Sequence, residues 1–457
     1  MHNAPSRPQL LKPDMVGHSR LLGLGGLSFA YASQPASFSL PLPPSYRVTV
    51  SAIKAPKPTM TTRIRVFSLL TLATSAFASW HSDSLGIPPS STGATLSVQA
   101  FNIGNLTIGA SAQIVHPVLP GHEIATVPMY AFLLTHTSSS GSHRASGLAT
   151  RRFMWDLGIR KDLQNAVPTV AAEFAADPAV LQEPKDIVEL VQEGGVNLTS
   201  IEAVIWSHAH PDHFGDMSKW PNATNLIVGA ESDLSTYPTN SNATLQPSDL
   251  AGHNLTKIDF TKSTLTIGSL RAIDFFNDGS FYLLDSPGHL AGQMTGLVRV
   301  TVSPDSFVLL AADTAHHIGV TRPRPLLAHN FPCPGDVLAA SRSAISTDYF
   351  WSPNSHLGAF DLSSRASPLL GISDVAGSLY ANPAETQVTL DKLAAFDADE
   401  DVLMVIAHDA SNVGALPVFP DKLDGWKKEG LKEKLVWRFL EMGDFAFAFD
   451  VVNSTTA

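Results

Sequence analysis

The chain has 457 residues, of which 44% are hydrophobic and 16% charged, which supplies a sizeable core and excludes global disorder. A formal net charge of −11 excludes nucleic acid as a general partner, because phosphate binding requires a basic surface. One cysteine, Cys333, excludes an intrachain disulfide and any cysteine-built metal cluster.

Residues 1–59 are rich in Pro, Ser and Leu and show no periodicity, so they are expected to form a disordered N-terminal extension. Residues 60–79 then run from a basic start (Arg63, Arg65) through an apolar centre, 66–73, to small residues, the pattern of a secretory signal peptide. That segment is too short to span a bilayer, so no stable membrane insertion is expected. Its internal position suggests Met60 as the true start. The acceptor triplets at Asn105, Asn197, Asn222, Asn242, Asn254 and Asn453 agree with an exported, glycosylated protein.

From about residue 95, apolar strands interleave with helical patterns and no internal repeat. Strands are expected at 96–101, 129–134 and 153–158, the last ending in an acidic turn at Asp156, with a flexible hairpin loop at 137–142. An amphipathic helix over 186–191 is stopped by Gly194 and Gly195. Later strands are expected at 202–207, 226–228, 281–284, 307–311 and 402–407. The spacing of Leu390, Leu393 and Ala394 predicts a helix around 386–394, packed beside the last strand.

The end of strand 202–207 delivers His208-Ala209-His210-Pro211-Asp212-His213. Imidazole nitrogen and carboxylate oxygen are the donor set of zinc and similar cations. Three more donors follow strands in the same way: His289, Asp313 and His408. A lone histidine near an apolar strand is usually an ordinary core or surface residue. A histidine-rich run can also be a surface tract that only sequesters metal, but sequestration does not need four separated segments. Taken together the four segments point to a metal-dependent enzyme.

On these segments, together with Phe153-Met154-Trp155-Asp156-Leu157-Gly158 and Asp285-Ser286-Pro287-Gly288-His289, the chain resembles a metallo-β-lactamase superfamily hydrolase over roughly residues 95–415. The resemblance implies an α/β fold, an αββα sandwich of two mixed β-sheets flanked by helices, within a catalytic domain spanning 80–457. It implies two Zn²⁺ per chain, with Mn or Fe as alternatives. His208, His210 and His289 would hold the first and Asp212, His213 and His408 the second, with Asp313 bridging. Asp156 would support a ligand histidine from behind. A hydroxide shared by the cations would attack an ester-like carbonyl, and Asp212 would orient water or pass a proton. The implied activity is most simply that of a lactonase; a thioesterase, or a metal-binding protein without catalysis, are the alternatives. Similar N-acyl-homoserine lactonases often place a Tyr three residues after the bridging Asp. Here that position is His316, a candidate hydrogen-bond donor to a carbonyl or leaving oxygen, while His317 is expected to face solvent if His316 lines the pocket. The stretch 321–372, with Phe331, Tyr349, Phe350 and Trp351, is expected either to cap the site around a small ester, lactone or thioester or to pack in the core.

Overall fold

The computed structural model describes residues 85–119, 121–138, 149–181, 184–337, 367–441 and 443–447. The N-terminal extension, the signal-like segment, most of the 137–142 loop, Tyr349, Phe350, Trp351 and Asn453 lie outside the described residues.

Fifteen strands are described: β1 (Thr95–Ile108), β2 (Val115–His116), β3 (Ala125–Ser138), β4 (Ala149–Trp155), β5 (Ala179–Leu181), β6 (Ile201–Ile205), β7 (Asn225–Gly229), β8 (Leu255–Ile258), β9 (Leu265–Ile267), β10 (Leu270–Asp274), β11 (Phe281–Asp285), β12 (Met294–Thr301), β13 (Ser306–Leu310), β14 (Gly371–Ile372) and β15 (Val402–Val405). They form a seven-stranded sheet ordered β5-β1-β3-β4-β6-β7-β8, a six-stranded sheet ordered β15-β13-β12-β11-β10-β9, and the pair β14-β2. Both large sheets are mixed. β4, β6, β7 and β8 run parallel beside the antiparallel β1-β3-β4 unit, and β15 lies parallel to β13 at the edge of an otherwise antiparallel sheet.

Strand periodicity explains the layering. Successive side chains point to opposite faces, so a continuous apolar run marks a strand buried on both sides. Phe153, Trp155, Ala203 and Ile205 of the first sheet meet Phe281, Leu283, Val308, Leu310, Leu403 and Val405 of the second in one core between the sheets. The alternate residues Met154 and Val204 face outward, where Val170 and Phe174 of helix α1 (Pro168–Ala176) and Ile187, Val188 and Val191 of helix α2 (Ile187–Glu193) cover them. On the far side, Tyr282, Leu284, Phe307, Leu309, Val402 and Met404 pack with Leu390, Leu393 and Phe396 of helix α4 (Pro383–Ala398). The helix–sheet–sheet–helix order is the expected sandwich.

Local sequence sets the helix ends. Asp186 caps α2 by accepting from the Glu189 amide while the Glu189 carboxylate accepts from the Asp186 amide, a reciprocal box. In α4, Asn382 caps and Pro383 takes the first turn. One expectation is corrected. β3 continues through Thr137, which pairs with Thr150, so the hairpin loop starts later than expected. Within 321–372, Phe331 is a core residue: it is buried, its carbonyl accepts from Trp437 Nε1 at 2.7 Å, and its ring lies 4.6 Å from Lys432 Nζ.

Candidate metal centre

The donors singled out from the sequence lie in four segments, each of which follows the C-terminal end of a strand. After β6, Ser207 is fastened to both sheets: its amide donates to Asp156 Oδ1 at 2.7 Å and its carbonyl accepts from the Met294 amide at 2.8 Å. His210 then opens a one-turn helix, α3 (Pro211–Phe214), whose fixed proline turn folds Asp212 and His213 back towards His208. His289 follows β11 through Gly288, Asp313 follows β13 through Ala312, and His408 follows β15. Ala312 has a positive φ of 47°, stabilised where its carbonyl accepts from the Ala407 amide at 3.0 Å.

The side chains converge into two groups that share one carboxylate. The donor atoms of His208, His210, His289 and Asp313 lie within 4.8 Å of one another, as do those of Asp212, His213, Asp313 and His408. In the first group His208 Nε2, His210 Nδ1 and His289 Nε2 form a triangle with edges of 2.9, 3.0 and 3.2 Å. In the second, His213 Nε2 and His408 Nε2 are 3.3 Å apart and Asp212 Oδ2 is 3.3 Å from His408 Nε2. Asp313 stands between them, with Oδ1 3.1 Å from His213 Nε2 and Oδ2 3.2 Å from His408, 3.6 Å from His289 and 3.7 Å from His208.

Three nitrogens pointing at a common centre cannot satisfy one another, since each imidazole edge brings at most one proton there. A tetrahedral cation bound about 2.0–2.1 Å from each nitrogen holds them about 3.3 Å apart. The observed triangle is close to that size, and Asp313 Oδ1 accepts no well-formed hydrogen bond despite its burial. The residues present therefore fit divalent cations.

Ring orientation is set from behind. His213 Nδ1 donates to Asp156 Oδ2 at 2.9 Å and His408 Nδ1 to the Pro128 carbonyl at 2.7 Å, so both rings turn Nε2 inward. Electrostatics divide the groups. Burial pushes His208 and His289 well below the ordinary imidazole range, with neighbouring imidazoles adding to the effect, and pushes His210 down to about 4. Burial also opposes charge on His213 and His408, but Asp313, with Asp156 and Asp212, outweighs it: His213 is held well above its usual value and His408 is raised to about 10. Despite their own burial, Asp212 and Asp313 are held well below the carboxylate range by His213 and His408. The second group thus takes up positive charge readily.

His316 reaches the cluster as well, with Nε2 3.1 Å from Asp313 Oδ2 and its ring stacked on His408 at 5.4 Å. His317 does not face solvent. It is half-buried, Nε2 donates to the Ala446 carbonyl at 2.8 Å, and Nδ1 accepts from the Gly319 amide. Two contributors escape a reading of the sequence: the Pro128 carbonyl, a backbone group with no side-chain signature, and Tyr380, whose hydroxyl lies 2.9 Å from His316 Nδ1.

A cavity of about 470 Å³ adjoins the cluster at His316 and Pro128. Its walls include Ile114, Val115, Leu119, Val127, Ile318 and Phe447, and no Lys, Arg, Asp or Glu is among the described lining residues.

A family model described as the metallo-beta-lactamase superfamily matches residues 177–349. The chain is 34% identical over 365 residues to the cytochrome P450 monooxygenase mpaDE of Penicillium roqueforti, which covers 78% of this chain and 38% of that protein. It therefore spans well under half the length of that relative. It is 33% identical over 345 residues to the gamma-lactamase FDB1 of Fusarium pseudograminearum, covering 73% of this chain and 78% of that one. It is 30% identical over 163 residues to the N-acyl homoserine lactonase AttM of Rhizobium johnstonii, covering 32% and 58% of the two chains.

Proposed function

The chain belongs to the metallo-beta-lactamase superfamily, and from that membership we propose that it is a metal-dependent hydrolase of a cyclic acyl bond, with a lactone as its lead substrate. The observation that carries the proposal is the pair of donor groups sharing Asp313, beside a cavity that His316 and Pro128 line. His208, His210, His289 and Asp313 would hold one divalent cation, and Asp212, His213, His408 and Asp313 the other, with zinc the first choice for this nitrogen and oxygen donor set. When bound, such cations supply Lewis acidity, acidifying water and polarising a carbonyl oxygen.

The chain's own residues supply position and proton movement. Asp212 is the most exposed member of its group, its side chain 11% exposed against 1% for His213, His408 and Asp313, so it can accept a proton from water and pass it to a leaving oxygen. His316 Nε2, 3.1 Å from Asp313 Oδ2, is the candidate donor to the carbonyl or leaving oxygen. The cavity beside it suits a substituent of mixed polar and apolar character. A cyclic amide is the second reading, favoured by the gamma-lactamase relative, most of whose length this chain covers. The signal-like segment in residues 60–79 adds secretion to the proposal, checked by mass spectrometry of the N-terminus of secreted protein.

The test is a panel of lactones, γ-lactams, thioesters, β-lactams and phosphodiesters, assayed with and without chelator. Chelator-sensitive opening of lactones ahead of the other classes is expected. Full activity after complete metal removal would overturn the mechanism, and preference for an acyclic thioester would overturn the substrate class.

A further inference from the structure

Tyr380 is buried, lies outside the metal-ligand set, and is tied to His316 by two hydrogen bonds. The His316 amide lies 3.2 Å from the Tyr380 oxygen and His316 Nδ1 lies 2.9 Å from it. The backbone amide can only donate, so the phenol oxygen accepts there. The phenol has one proton of its own, and His316 Nδ1 is the acceptor within reach of it. Burial keeps that proton in place, pushing the phenol well above its ordinary range. With Nδ1 occupied as an acceptor, the ring carries its proton on Nε2, the atom 3.1 Å from Asp313 Oδ2.

We propose that Tyr380 is a positioning residue that locks His316 in the Nε2–H tautomer, so that the Nε2–H donor is directed into the site at Asp313. The tyrosine is itself rigidly placed. The next two amides, of Ala381 and Asn382, donate to the carbonyls of His289 and Gly288 at 2.9 Å each, and its ring stands edge-on to both His289 and His316. One short segment thus fixes a metal-ligand turn and the donor together. This inference rests on the hydrolase reading only for its catalytic consequence; the tautomer is a property of the folded chain.

Two measurements separate those parts. Nitrogen NMR of ¹⁵N-histidine-labelled, metal-free protein should show His316 with an acceptor-type Nδ1 and a protonated Nε2, and Tyr380→Phe should shift that pattern while leaving the His317 resonances in place. A protonated Nδ1 in the unaltered protein overturns the proposal. With the lactone opened best in the substrate panel, Tyr380→Phe should lower kcat about tenfold with little change in KM or metal content, the size of one lost hydrogen bond. In a His316→Ala background the same change should have no further effect. An equal loss in both backgrounds, or none in either, would show that Tyr380 does not act through His316. If no ring substrate is hydrolysed the function fails, whereas the tautomer result still decides Tyr380.

Discussion

Asp156 adopts a left-handed backbone conformation, φ 57°, that a non-glycine residue takes up at a cost of about 1 kcal/mol or more. Its two carboxylate bonds, to the Ser207 amide and His213 Nδ1, account for that conformation. Asp156→Ala should weaken cation affinity about 10- to 100-fold, as measured by competition with a chromogenic chelator, while leaving the fold intact. Unchanged affinity would mean that His213 is oriented by packing alone. Asp212→Ala combined with His408→Ala removes two donors from one group. Hydrolysis should vanish while circular dichroism retains the native spectrum, and residual turnover above about 1% would refute the assignment. The seven donors were legible in the sequence because the four segments that hold them each follow a recognisable apolar strand. Tyr380 was not, because it comes from a loop 64 residues from its partner and belongs to no periodic pattern.

Among the elements, helix α4 is the clamp on the His289 turn. Thr389 Oγ1 donates to the Pro287 carbonyl at 2.7 Å, and a Cβ on Gly288, whose φ is +130°, would come within 2.3 Å of the Thr386 amide nitrogen. Gly288→Ala must therefore push the turn away from the helix, at a cost of about 1–3 kcal/mol. Calorimetry should show a Tm lowered by several degrees, and metal analysis should show the loss of about one equivalent as His289 is displaced; an unaltered Tm and metal content would contradict the clamp. The same helix shows why element boundaries were only partly legible. Its buried side includes Thr386, Thr389 and Asp397, so apolar spacing reported only its middle. Strand β8, exposed along most of its length at a sheet edge, and β12, interrupted by Gly296 and Arg299, gave no continuous apolar run. Strands β11, β13 and β15 and the C-terminal halves of β4 and β6 did, because they are apolar on both faces.

For the whole molecule, the charge distribution at the centre couples pH to stability. Without metal, His408 titrates at about 10 in the folded chain, against about 6.5 when unfolded. A raised folded value stabilises fully below pH about 6.5, and that contribution is lost as pH rises through about 10. The Tm of chelator-treated protein should therefore fall from about pH 7 to about pH 10. Metal-loaded protein should lack this decline, because the cation replaces the proton; identical profiles would show that His408 binds no metal. Cation affinity should rise with pH over the same range as His408 and His213 give up their protons, and plasma emission spectroscopy near neutral pH should find about two equivalents per chain.

Both donor groups draw on both sheets. β6 carries His208, His210, Asp212 and His213 from the first sheet, while β11, β13 and β15 carry His289, Asp313 and His408 from the second. The donors are also strung along 200 residues of chain. A polypeptide emerging from the ribosome has no finished binding set until Asp313 has appeared for one group and His408 for the other. The His208–His210–His289 group is thus complete earlier in the growing chain than the group that needs His408.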